Sequence, residues 1–269
     1  MEKTWGTILS VKTAALFLLM CSPARADIAV CRDAYFKDAY ATAFKECAPL
    51  AKAGVAEAQF NLGWMYAYGE GVPKDAVQAV SWYRKAAEQG SPSAQVNLGL
   101  MYDNGDGVPK DALQAVSWYR KAAEQGHASA QFNLGVMYDK GDGVPKDAVQ
   151  AVSWYRLAAE QGIASAQFNL AVMYHNGEGV PKDAVQAVSW YRKAADQGIA
   201  EAQSNLGAMY ARGEGVPKDL VTAYMWRNLA AAQGNEIAKK ARDALEKDMT
   251  PAQIAEAQKL SREWKPKKP

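Results

Sequence analysis

Histidine and cysteine are almost missing from these 269 residues: there are two histidines and three cysteines beside 31 basic and 29 acidic side chains. His127 and His175 stand far apart, with no Cys, Asp or Glu cluster at metal-ligand spacing, so neither a metal nor another cofactor is expected. No nucleophile-elbow or phosphate-loop sequence occurs, which leaves no catalytic residue to name. Charge of one sign is not in excess, and no basic stripe appears, so a nucleic-acid partner is not expected. The cluster Lys265, Lys267 and Lys268 reads as a short solvated tail. No apolar run reaches the roughly 20 residues that cross a bilayer.

The longest apolar run, over residues 13–20, follows Lys3 and Lys12 and precedes Ala24-Arg25-Ala26, small residues at a cleavage site. That is the pattern of a secretory signal peptide over 1–26, with Asp27 as the mature N-terminus. A lipoprotein signal acylated at Cys21 is the alternative, which Met20 just before it fits poorly. Removal of the leader takes Lys3, Lys12, Arg25 and Glu2 and leaves 28 basic and 28 acidic residues. The mature chain is expected to be periplasmic or secreted, a monomer, and not inserted in a membrane.

What the chain has in abundance is repetition. Val80-Ser81-Trp82-Tyr83-Arg84-Lys85-Ala86-Ala87-Glu88-Gln89-Gly90 returns every 36 residues, with Trp118, Trp154, Trp190 and, more loosely, Trp226. Gly-Val-Pro-Lys-Asp recurs on the same ruler at Pro73, Pro109, Pro145, Pro181 and Pro217, and Asn-Leu-Gly/Ala at Leu62, Leu98, Leu134, Leu170 and Leu206. A fixed period of this length signals a stacked solenoid. The boundaries are 56–91, 92–127, 128–163, 164–199 and 200–235.

Each unit reads as two helices. Ala58, Leu62, Met65 and Tyr66 fall on one face of the first, and Gly63 beside them lets a second helix approach closely. The loop from Gly69 to Lys74 has two glycines suited to positive φ and a proline that cannot continue a helix. Asp75 is an N-cap, Ala79, Trp82, Tyr83, Ala86 and Ala87 form the apolar stripe of the second helix, and Gly90 stops it. The asparagines recurring at 61, 97, 133, 169 and 205 are expected to tie the helix to a neighbouring loop backbone. The fold class is all-α: an α/α superhelical solenoid of five helix-loop-helix repeats with helical caps.

The N-terminal cap, 27–55, places Ala43, Cys47, Leu50 and Ala51 at the Ala79, Tyr83, Ala86 and Ala87 positions, a degenerate half repeat. Cys31 and Cys47 lie symmetrically about Ala39, so a turn near Asp38 would set them face to face. In an oxidising compartment a disulfide follows, worth roughly 3 kcal/mol. A continuous helix would hold the sulfurs roughly 24 Å apart, and two buried free thiols are the alternative. At the other end, 236–269 reads as a closing helix, a second one opened by Thr250-Pro251 and running toward Trp264, and the basic tail.

The motif A-x-x-N-L-G-x-M-Y-x-x-G-x-G-V-P-K-D followed by A-x-x-W-Y-R-K-A-A-E-Q-G resembles the Sel-one-like repeat family, the tetratricopeptide-related α/α solenoids. Ala171, Leu157 and the stretch Tyr224-Met225-Trp226-Arg227-Asn228-Leu229 depart from it. The resemblance implies a non-enzymatic adaptor, in bacteria often exported, binding a protein or peptide partner, here in the cell envelope. A disulfide-rich branch implies an alternative, binding or hydrolysis of β-lactams or cell-wall compounds, but it carries a cysteine pair per unit that these five units lack. A purely structural envelope protein is the second alternative. Alignment on Asn-Leu-Gly puts the concave, ligand-facing positions at Phe60, Trp64 and Tyr68 in the first unit and at Leu100 and Asn104 in the second. They fall on Phe132 and Lys140 in the third unit, on Phe168, His175 and Asn176 in the fourth, and on Arg212 in the fifth. Phe132 and Phe168 are equally readable as contacts between repeats, whereas Trp64 and Tyr68 are expected to be exposed.

Overall fold

The computed structural model describes residues 23–267 and, among them, fourteen α-helices and no strand. The leader lies outside this range up to residue 22, as does Cys21, and Pro23 already opens α1 (Pro23–Phe36). After it come α2 (Tyr40–Lys52) and the repeats: α3 (Ala56–Tyr68) and α4 (Ala76–Glu88), then α5 (Pro92–Asn104) and α6 (Ala112–Glu124). The third repeat is α7 (Ala128–Lys140) with α8 (Ala148–Glu160), the fourth α9 (Ala164–Asn176) with α10 (Ala184–Asp196), and the fifth α11 (Ala200–Arg212) with α12 (Leu220–Ala232). The chain closes with α13 (Glu236–Leu245), a 3-10 turn at Glu246–Asp248 and α14 (Pro251–Glu263). The helices form two compact units that divide between Asp111 and Ala112.

The punctuation works as the residue types dictate. Asp75, Asp147, Asp183 and Asp219 accept backbone N–H bonds at the start of the second helices. The second glycine of each loop has a further duty: at Gly179 an added Cβ would stand 2.2 Å from the Ala148 carbonyl oxygen, so the loop touches the second helix of the repeat before it, α8, backbone to backbone. Gly63 has a similar reason, because its Cβ would lie 2.5 Å from the Tyr83 ring.

The core is built on tyrosine rather than tryptophan. Tyr83, Tyr119, Tyr155 and Tyr191 are the largest fully buried side chains, whereas Trp82, Trp118 and Trp154 are only half-buried. At the first, second and fourth repeats the ammonium of Lys85, Lys121 or Lys193 rests 4.0 Å from the centroid of its tryptophan ring, and in the fourth that ring, Trp190, is buried as well. The indoles of Trp82 and Trp118 are thus shared between core and a cation–π contact at the surface, a place that helical periodicity alone does not separate from the interior.

Three of the five asparagines hold tyrosine, not loop backbone. Asn205 donates to the Tyr191 hydroxyl at 3.2 Å, and Asn97 and Asn169 bond Tyr83 and Tyr155. Main chain is bound instead by buried glutamines: Gln59, Gln95, Gln131, Gln167 and Gln203 each donate to a carbonyl eight residues back, in the last turn of the preceding helix. Their own carbonyls accept from Gln89, Gln161, Gln197 and Gln233, thirty residues on in four of the five cases. This ladder pairs polar groups that burial would otherwise penalise by about 1–3 kcal/mol each.

In the cap, the chain turns at Asp38 with φ 55, and Cys31 is disulfide-bonded to Cys47, both fully buried. Cys47 takes the tyrosine position of a repeat, and Asn61 reaches the Cys31 sulfur at 3.6 Å, much as Asn205 reaches Tyr191. At the other end, α14 opens on a Thr250 capping box, and Trp264 stands edge-on to Trp226 at 6.2 Å. The tail is not a merely solvated end: Lys267 donates its backbone N–H to the Asp196 carbonyl and its ammonium to the Asp196 carboxylate, both at 2.8 Å.

Candidate functional site

Within each compact unit one pair of successive first helices leaves a crevice between them. Between α3 and α5 it is a cavity of about 310 Å³ whose floor is Tyr83, Asn97 and Met101 and whose rim is Tyr68, Leu100 and Asn104. Between α9 and α11 the same positions recur as Tyr191, Asn205 and Met209 below His175, Ala208 and Arg212, around 140 Å³. The floor is constant because it is the tyrosine–asparagine pair that joins neighbouring repeats. The rim changes because nothing in the repeat depends on it.

The hydroxyls on the floor are neutral and accept from asparagine. Burial pushes Tyr191 up to about 12 and raises Tyr83 and Tyr155 as well. The rim of the α9/α11 crevice is charged: Arg212 holds Glu214 through Nε at 3.1 Å and a terminal nitrogen at 2.8 Å, and His175 Nδ1 stands 3.6 Å from the same carboxylate. The Arg212 guanidinium holds the Glu214 carboxyl below its usual range. Nothing in this arrangement supplies a nucleophile with its base. It can present hydrogen-bond donors, apolar surface and charge to a bound chain.

The residues singled out in the sequence are placed unevenly. Tyr68 is 64% exposed and Leu100 38%, and the two share one cavity with Asn104. Trp64 is not open surface: its ring lies 5.1 Å from Tyr35, 5.5 Å from Tyr40 and 4.8 Å from Tyr68, so the N-terminal cap half-covers it. Phe60, Phe132 and Phe168 are half-buried, each against the core tyrosine of its own repeat at 5.8 to 6.0 Å. His175 and Arg212 meet through Glu214. Asn104 and Asn176 each bond an acidic side chain two residues on, Asp106 and Glu178, while Lys140 is exposed at the end of α7.

Tyr35 and Tyr40 were not legible as neighbours of the site, because the cap has no repeat mates to align with. Burial raises Tyr35 to about 12, and a 2.5 Å bond to the Asp38 carboxylate does the same for Tyr40. Asn97 and the core tyrosines carried a signal, their recurrence, which also marks them as scaffold.

Comparison with known proteins agrees with this geometry. A family model for the Sel1 repeat matches residues 56–91, 92–127, 128–163, 164–199 and 200–235. Among solved structures, a protective antigen of uropathogenic Escherichia coli displaying an SLR fold is 35% identical with a TM-score of 0.80 over 95% of this chain and 56% of that one. A Sel1 repeat protein from Oxalobacter formigenes is 38% identical with a TM-score of 0.68 over 76% of this chain and 59% of that one. The chain therefore spans less than two thirds of the length of either. No match is found among the curated proteins. Repeats of this kind are generally non-catalytic scaffolds for protein interaction. With five matched repeats and helices stacked as that fold requires, this chain belongs to the Sel1 repeat family.

Proposed function

We propose that this chain is an exported, non-enzymatic scaffold that binds a protein or peptide segment through the crevices between its first helices. The observation that carries the reading is a constant floor beneath a variable rim: Tyr68, Leu100 and Asn104 at one crevice, His175, Ala208 and Arg212 at another. A scaffold needs the first and specificity needs the second. Tyr68 and Leu100 offer the exposed apolar anchor, since aromatic side chains at the centre of an interface supply a disproportionate share of binding energy. Export is supported by the leader pattern and by the Cys31–Cys47 disulfide, which suits an oxidising compartment. Among the described residues no helix is long and apolar enough to cross a membrane.

The test is affinity capture from an envelope extract with the wild type and with Tyr68→Ala/Leu100→Ala. Both side chains are exposed, so the double variant should keep its melting temperature within about 2 °C and lose the captured protein. Equal capture by the folded variant would place binding elsewhere. Turnover of a chromogenic β-lactam by the purified wild type would favour the hydrolase alternative instead.

A further inference from the structure

The core position that tyrosine fills in four repeats is held in the fifth by a cation. Arg227 stands 36 residues after Tyr191, in register with Tyr83, Tyr119 and Tyr155. Its stem takes the place of the ring: a Cβ added at Gly207 would lie 2.8 Å from Arg227 Cγ, as one at Gly135 would lie 2.7 Å from the Tyr155 ring. Its head then meets no asparagine, because the residue 36 after Asn205 is Ala241. Arg227 donates through one terminal nitrogen to the Ala241 carbonyl at 2.9 Å, while its Nε is buried without a partner.

Among the described residues no ion pair includes Arg227. On the segments that flank α12, Glu214 is held by Arg212, Asp243 by Arg242, and Glu246 accepts from the Tyr224 hydroxyl. The charge that does bear on Arg227 is a second cation, Arg212, and burial together with that repulsion pushes the guanidinium below its ordinary range. A half-buried charge costs stability unless it is paired. Tyrosine fills the same place in the other four repeats without that cost, so the arginine is explained by a ligand rather than by the fold.

We propose that the Arg227 guanidinium binds a carboxylate, that of an Asp or Glu side chain in a protein segment lying along the first helices. A guanidinium is suited to this, being charged at every working pH and offering planar donors that match carboxylate oxygens. The inference rests on the crevice reading above, since Arg212, the charge that bears on Arg227, is also on the rim of the α9/α11 crevice. It adds the chemistry of one anchor on the ligand.

The test follows the Arg227 Nε–H resonance in the 15N-labelled full chain, identified by its absence from the variant Arg227→Tyr/Ala241→Asn. That variant installs the tyrosine and asparagine that four repeats hold, so it should keep the melting temperature. The probes are acetyl-Gly-Glu-Gly-amide, whose one carboxylate is the side chain, its glutamine counterpart, and acetate and phosphate at equal ionic strength. The glutamate peptide should move the resonance saturably with a Kd below about 10 mM, and its affinity, read by calorimetry, should fall at least about tenfold in the variant. An equal shift from the glutamine peptide, saturation by acetate or phosphate alone, undiminished binding to the variant, or no saturation up to about 50 mM would each overturn the proposal. The capture experiment with Tyr68→Ala/Leu100→Ala leaves Arg227 untouched, so failure of the crevice reading and failure of this one are told apart.

Discussion

At the level of single residues, the tyrosines and glutamines carry the fold. Tyr155→Ala removes a fully buried ring and should cost about 3–5 kcal/mol, more than Trp154→Ala, whose indole is half-exposed. Urea unfolding of the two variants checks the order. Gln131→Ala should cost about 1 kcal/mol, because it removes two hydrogen bonds, to the Ala123 carbonyl and from the Gln161 amide, while Gly126 still donates to that carbonyl and still accepts from Gln161. His127 sets a pH dependence. Burial pushes its imidazole below the ordinary 6.5, so the unfolded chain takes up the proton first. Its contribution is therefore present above about 6.5 and is lost as pH falls from there through the lower folded value. His127→Ala should flatten that part of a stability–pH curve, and an unchanged slope would contradict the burial. The glutamines were missed in the sequence because a polar residue beside a cap reads as surface. Tryptophan was misjudged because its spacing fits the apolar stripe as well as tyrosine's does.

At the level of elements, helices and turns were legible because Gly, Pro and Asp punctuate every unit at the same offsets. Less legible were elements without mates: Tyr35 and Tyr40 sit in a cap that matches only half a repeat, and the role of α14 appears only once Leu229 and Trp226 are seen near it. The cap also makes a prediction. With Cys31 and Cys47 both replaced by Ser, α1 loses its link to α2, at a cost of roughly 3 kcal/mol. Hydrogen exchange should then show α1 and the Trp64 region opening while α7 to α12 keep their protection. Uniform loss of protection would mean the cap and the repeats unfold together.

On the scale of the whole molecule, near-identical repeats make stability local and leave specificity to the few positions that differ. One surface stands out by that rule: the crevice rims of the first helices. The rims carry the central claim. A photo-crosslinking amino acid placed at Tyr68 in the chain expressed in its own cells, compared with one at Lys239 on the closing helix, tests it most directly. The account predicts a discrete protein adduct from position 68 that Leu100→Ala weakens; adducts from position 239 alone, or none that Leu100→Ala changes, would contradict it.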